Sequence, residues 1–252
     1  MAYFDIGGAL PRWLPVCPST RPSMCGRFTL KTPAAVLREM FGVSQLPGFG
    51  ARYNVAPTQP VATVRRSDGV NSWEPMRWGL IPHWARDPSI GNRMINARAE
   101  TIAEKPAFRE PFARRRCLVP ADGFYEWERI GGGRKQPWYL SLLEDQPFAF
   151  AGLWARWSGE EGSIGSCSII TTTPNELVAP IHDRMPVILD RGGFDCWLDE
   201  ASTPQELRSL LHPVDARRMQ ARPVSTLVNS PANDDPRCLD PMAAPRPGTL
   251  FD

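Results

Sequence analysis

The residues with the most chemical potential stand together in Met24-Cys25-Gly26-Arg27-Phe28. If translation begins at Met24 and that Met is trimmed, Cys25 becomes a chain terminus with a free α-amine beside its thiol. Such a 1,2-aminothiol has a reactivity that no internal cysteine has. Its amine, with a pKa of about 7.7–8.0, is partly neutral at physiological pH, and its thiol titrates near about 8.5. An aldehyde meeting the pair forms a Schiff base with the amine, and the thiol then closes a five-membered thiazolidine ring. A cysteine read alone is more often a small buried hydrophobe, so the pattern gains meaning only from what lies downstream.

Three downstream residues could assist. Schiff-base formation moves protons from the amine to a departing hydroxyl, which suits a carboxyl group of adjustable pKa. Glu126, between Tyr125 and Trp127, is expected in a poorly hydrated setting that raises its pKa; a buried partner for an arginine is its other reading. His182, followed directly by Asp183, titrates near neutrality and is either a proton donor or a structural hydrogen-bonder. Asn96 either holds a substrate or makes an Asx turn.

The elements that must position these groups alternate short strands with a few helices. Cys25 to Leu30 reads as a strand, and Ala34 to Phe41 as a helix with Thr32 as N-cap, Pro33 at its first position and Gly42 as its stop. Pro60 to Val64 and Ser72 to Trp78 form a hairpin about Ser67-Asp68-Gly69. Trp78 to Trp84 is a loop of the kind in which scaffolds place binding groups. Ala107 to Arg114 is helical, and strands follow at Cys117–Pro120, Gly123–Trp127, Trp138–Leu143, Phe148–Trp157, Ser166–Thr173 and Pro186–Leu189. Gly131-Gly132-Gly133 is a loop tip without phosphate-loop spacing. Phe194–Leu198 and Thr203–Leu211 are helical, the second with a Thr203–Glu206 capping box. Arg222–Val228 is a last strand, and a surface-running coil is expected from Asn229. This is one α+β domain with mostly antiparallel pairing.

Composition narrows the classes. The chain has 252 residues and is 42% hydrophobic, enough for one sizeable core. Basic and acidic residues number 29 and 27, for a net charge of +2 that does not announce a nucleic-acid binder. Only Lys31, Lys105 and Lys135 are lysines, so arginine, whose planar fork suits phosphate, dominates. Codon bias explains that preference more simply than selection for phosphate contact. Between Arg93 and Arg116, seven Lys or Arg face only Glu100, Glu104 and Glu110. The six cysteines show no C-x-x-C pair and no His at zinc-ligand spacing, so a reducing cytoplasm without metal or cofactor is expected. No apolar run reaches the length of a membrane span. Residues 1–23 carry four prolines and no signal-peptide pattern, and read as an over-long start or a removable leader.

Six segments in order resemble the SOS-response-associated peptidase (SRAP) family, abasic-site processing proteins that cross-link to DNA. They are Met24–Phe28, Tyr53-Asn54-Val55-Ala56-Pro57-Thr58-Gln59, Trp78-Gly79-Leu80-Ile81-Pro82, Asn96-Ala97-Arg98-Ala99-Glu100-Thr101, Arg116–Pro120 with Gly123–Trp127, and His182-Asp183-Arg184-Met185-Pro186-Val187. The resemblance implies a single SRAP-like domain over residues 24–235, with a barrel-like sheet and a C-terminal tail over 236–252. It implies that Cys25 attacks the ring-opened aldehyde of an abasic site in single-stranded DNA, with Asn96, Glu126 and His182 completing the catalytic group. Proton donation to the opening sugar ring would fall to His182. Arg27, Arg98 and Arg184 become phosphate contacts, and Trp78 and Trp127 become candidate stacking platforms. A monomer is expected, with replication-associated proteins as further partners. The departure is the leader, because Cys25 has no free amine while it remains. Two rivals stay open: a cysteine peptidase cutting before its own nucleophile at Ser23–Met24 or Met24–Cys25, and a noncovalent binder of damaged single strands.

Overall fold

In the hairpin around Asp68-Gly69 both central residues have positive φ, 51° and 75°, which matches the twist of the flanking strands. That hairpin is one of several joined in a computed structural model that describes residues 26–45, 50–160 and 162–242. Its elements run β1 (Phe28–Leu30), α1 (Ala34–Phe41), β2 (Arg52–Val55), β3 (Pro60–Ser67), β4 (Val70–Trp78), β5 (Asn96–Arg98), α2 (Pro106–Arg114) and β6 (Arg116–Ala121). Then come β7 (Gly123–Arg129), β8 (Lys135–Leu142), β9 (Phe148–Gly159), β10 (Gly162–Thr172), β11 (Met185–Pro186), β12 (Ile188–Leu189), α3 (Arg191–Leu198), α4 (Pro204–Ser209) and β13 (Met219–Pro223).

Two sheets result. The smaller has the order β13-β8-β7-β1-β2. In the larger, β10 pairs β4, β4 pairs β3, β3 pairs β6, β6 pairs β9, and β9 returns to β10, so five strands close into a barrel. Closure leaves these strands no free edge. Pairing is antiparallel as expected, except that β10 runs parallel to both β4 and β5. One core cluster joins the two sheets through Phe28, Trp78, Phe124, Leu140 and Phe150. A second fills the other side of the barrel and receives Leu37 and Phe41 of α1, Phe112 of α2, Trp197 of α3 and Leu207 of α4.

Local signals and tertiary demands compete at the start of α1. Gly42 stops the helix as expected, at φ 61° with its N–H on Arg38 O. Pro33, not Thr32, occupies the N-cap position, because the Thr32 hydroxyl is drawn to Asp122 Oδ2 at 2.9 Å. Asp122 is fully buried and also accepts from the Lys31 and Thr32 amides at 2.6 and 2.8 Å, so one carboxylate pins the end of β1 to the corner between β6 and β7. The Thr203–Glu206 capping box of α4 forms as expected.

The C-terminal segment departs from expectation. The last strand lies at Met219–Pro223 rather than Arg222–Val228, and the chain then makes short 3-10 turns at Thr226–Asn229 and Pro236–Leu239. From Asn229 the chain runs over the surface as expected, anchored by Cys238, which is buried in a cluster with Val228, Tyr125 and Tyr139. Among the described residues no helix is long and apolar enough to cross a membrane.

Candidate active site

Strand β1 carries the chain away from Cys25, which itself lies outside the described residues. Phe28 pairs with Phe124 of β7, and the Tyr125 amide donates to Arg27 O at 3.0 Å. Continuing that antiparallel register by one step sets Gly26 opposite Glu126. Both residues are buried, and Glu126 is only 1% exposed. The carboxylate proposed from sequence thus sits on the strand beside the residue that follows Cys25.

Asn96 is tied to β1 by Trp78. Phe28 packs edge-on against the Trp78 ring with centroids 5.2 Å apart. The Trp78 indole N–H donates to Ile95 O at 2.9 Å, immediately before Asn96. Two glycines permit this approach: a Cβ on Gly79 would lie 2.5 Å from Gly91 O, and Gly79 holds φ 128°. Trp78 is fully buried. Its expected role as a stacking platform is therefore corrected, because no base can reach a ring enclosed on all sides; it is the core piece joining β1 to β5.

Strand β10 aligns the remaining groups. Asn96 and Arg98 pair with Ile169 and Thr171 on one side, and Met185 pairs with Thr172 after the loop that holds His182. The His182 Nδ1 accepts the Arg184 amide at 3.1 Å, so the neutral ring carries its proton on Nε2. Burial pulls the His182 pKa below its ordinary value, against the opposing pull of Asp183, whose Oδ1 lies 3.1 Å from Nδ1. The charges of Arg129 and Lys135, at the end of the β7–β8 hairpin, lower it further. Arg98 is exposed. Arg184 is buried and bidentate on Glu100, at 2.6 and 2.9 Å, with a further bond to Thr171 O at 2.7 Å. A phosphate would reach Arg184 only by sharing it with Glu100.

Arg27 and Trp127 meet: the guanidinium carbon lies 5.9 Å from the centre of the half-buried indole. The C-terminal loop holds both. Arg27 Nη1 donates to Val228 O at 2.7 Å and to Asn54 Oδ1 at 3.0 Å, while Trp127 Nε1 donates to Asn229 Oδ1 at 2.8 Å. Asn54, fully buried, turns its Nδ2 to the carbonyls of Val228, Ser230 and Asn233 at 3.2, 2.9 and 2.6 Å. Asp234 in turn accepts the amides of Tyr53 and Asn54 at 2.6 and 2.8 Å. Sequence reasoning singled out the Tyr53–Gln59 segment without seeing this. The available signal was a polar Asn between Tyr53 and Val55, whose side chain must find partners once buried.

Residues 24–231 match the family model described as "SOS response associated peptidase (SRAP)". The chain is 48% identical over 222 residues to "Abasic site processing protein YoqW" of Bacillus subtilis (strain 168), covering 86% of this chain and 99% of the relative. It is 34% identical over 271 residues to "Abasic site processing protein HMCES" of Rattus norvegicus, covering 86% of this chain and 76% of that one. A crystal structure of a Bacteroides thetaiotaomicron protein superposes with a TM-score of 0.79 at 31% identity, covering 86% of this chain and 99% of the other. A family match over most of the described barrel, joined to identities of this size across nearly whole relatives, leaves one conclusion: the chain belongs to the SRAP family.

Proposed function

We propose that this chain processes abasic sites by capturing them covalently in single-stranded DNA, with Cys25 as a mature N-terminus once the residues up to Met24 are gone. The observation that supports this most is the β1–β7 register, which, continued two residues beyond Phe28, brings the residue after Cys25 opposite buried Glu126. In the reaction the neutral Cys25 amine attacks C1′ of the ring-opened sugar. The resulting carbinolamine loses water to give the imine, and the thiol adds to the imine carbon while its proton passes to nitrogen. The adduct is therefore the sum of protein and DNA less one water. Glu126 relays the proton from the amine to the departing hydroxyl, and the His182 Nε2–H donates to the ring oxygen as the sugar opens. Asn96 holds the sugar or thiol, and Arg27, Arg98, Arg184 and Trp127 receive the flanking strand. Other thiols compete poorly: burial pushes Cys167 up to about 12 and raises Cys117 and Cys238 as well, so none of the three offers a thiolate.

The test is the intact mass of the protein expressed from its own gene, alone and with a single-stranded oligonucleotide bearing one abasic site. The expected product begins at Cys25 and gains the oligonucleotide mass less one water, and Cys25→Ala forms none. As much adduct from Cys25→Ala as from wild type would sink the proposal. Cleavage of the purified protein at Ser23–Met24 or Met24–Cys25, without any adduct, would favour the peptidase activity that the family's description carries. Salt-sensitive binding without a denaturation-resistant adduct would mark a noncovalent binder.

A further inference from the structure

Strand β7 continues three residues beyond Glu126 to Arg129, where the β7–β8 hairpin ends. Arg129 and Lys135 stand directly opposite each other there, as the last cross-strand pair before the tip. Like charges in that arrangement destabilise a strand pair. Among the described residues no other strand register sets two cations face to face. Arg134 adds a third charge, its carbonyl accepting the Ile130 amide at 3.0 Å to close the turn. All three side chains are exposed, and none pairs with a carboxylate among the described residues. The acid next to the tip, Glu128, is engaged by the Trp138 indole N–H at 2.9 Å. The fold thus sets three cations against the single negative charge of Glu128, where a hairpin would be more stable without the facing pair.

The tip's position says what would compensate it. At about 3.3 Å per residue, Arg129 lies roughly 10 Å along the strand from Glu126. It shares a strand face with Trp127, two residues back, and Arg27 lies over the Trp127 ring. Cation, half-buried indole and paired cations therefore follow one another along one face of the sheet. A groove that tracks a backbone with cations and stacks bases on aromatics is how single strands are held.

We propose that Arg129, Arg134 and Lys135 form a phosphate clamp for the single-stranded DNA that flanks the captured nucleotide. The clamp rests on the function proposed above for its placement next to a lesion. Its phosphodiester ligand relieves the repulsion that the empty hairpin carries.

The experiment measures binding of an undamaged single-stranded oligonucleotide against salt, for wild type and the triple variant Arg129→Gln, Arg134→Gln, Lys135→Gln. Three lost contacts at about 0.7 each should reduce the slope of log K on log salt by about 2. The charge-keeping variant Arg129→Lys, Arg134→Lys, Lys135→Arg should retain the wild-type slope. The Gln variant should unfold at the wild-type urea midpoint or above it, because a repulsion has been removed. Capture of glyceraldehyde at Cys25, read by intact mass, should not change. An unchanged slope would overturn the clamp. So would a lowered midpoint, which would make the cations structural, or an unchanged DNA slope with lost binding to polyglutamate, which would point to an acidic protein. If wild type forms no adduct on abasic DNA but the slope still falls by about 2, the covalent chemistry fails while the clamp stands.

Discussion

Trp78 offers a test in which two roles predict opposite results. Trp78→Phe keeps an aromatic ring in the core and removes the indole N–H that bonds Ile95 O at 2.9 Å. The ring loses roughly 50 Å² of buried surface, worth about 1.3 kcal/mol at about 25 cal/mol per Å². The lost hydrogen bond adds about 1 kcal/mol rather than more, because Ile95 O keeps a second donor, the Ile169 amide at 3.0 Å, and is not left orphaned. A residual cavity against Phe28 moves the sum toward about 3 kcal/mol. With a urea m-value of about 3 kcal/mol/M, the unfolding midpoint should fall by about 1 M. Affinity for undamaged single-stranded DNA should not change. A platform residue would behave in reverse, with stability kept and about 1–3 kcal/mol of binding lost on truncation to Ala. An unchanged midpoint, or a folded Trp78→Phe protein that binds DNA several-fold more weakly, would refute the placement of Trp78 as the link between β1 and Asn96.

The other expectations concern the charges and the C-terminal loop. The folded pKa of His182 lies below its unfolded value, so the folded chain binds fewer protons between the two. Stability should be full above about pH 6.5 and fall as pH drops through that window; His182→Gln should flatten this slope, and a midpoint at or above 6.5 in an NMR titration would contradict the burial argument. Glu100 shifts in the same direction at lower pH: the hydrogen bond from Arg184 lowers its pKa, so its contribution is present above about pH 4.5 and is lost as pH falls through the folded value. Arg184→Met should remove that acid-side dependence in urea midpoints taken from pH 6 to 3, and an identical profile would show that the pair does not contribute. Asn54→Ala should speed hydrogen exchange across residues 226–234 by at least tenfold while leaving β9 and β10 protected; equal protection in that loop would mean Asn54 does not hold it.

What local patterns reveal and what they hide separates cleanly at particular residues. Gly42, the Asp68-Gly69 turn and the Thr203–Glu206 box are visible because their physics lies within a few neighbours. Period-2 alternation likewise marks β3 as a strand, but it cannot say that β10 meets β4 and β5 in parallel, since those contacts join segments far apart in the chain. The site divides the same way. The resemblance singled out Asn96, Glu126 and His182, and the fold sets Glu126 and Asn96 one link from β1, through a strand register and through Trp78. It hid the distinction between an exposed and an enclosed tryptophan, which depends on where a distant sheet comes to rest. Trp78 and Trp127 are the same residue type in equally aromatic segments. One is sealed by Phe28 and bonded to the Ile95 carbonyl, while the other is half-buried, held at its N–H by Asn229, a hundred residues on, with Arg27 over its ring. Arg27 makes the same point from the side of charge. Its neighbours in sequence would leave it a free surface cation, yet Asn54 and Val228 fix it over Trp127, so that DNA contact there would use a guanidinium already oriented by the C-terminal loop. Loosening that loop should therefore weaken DNA binding without touching any residue that meets the DNA.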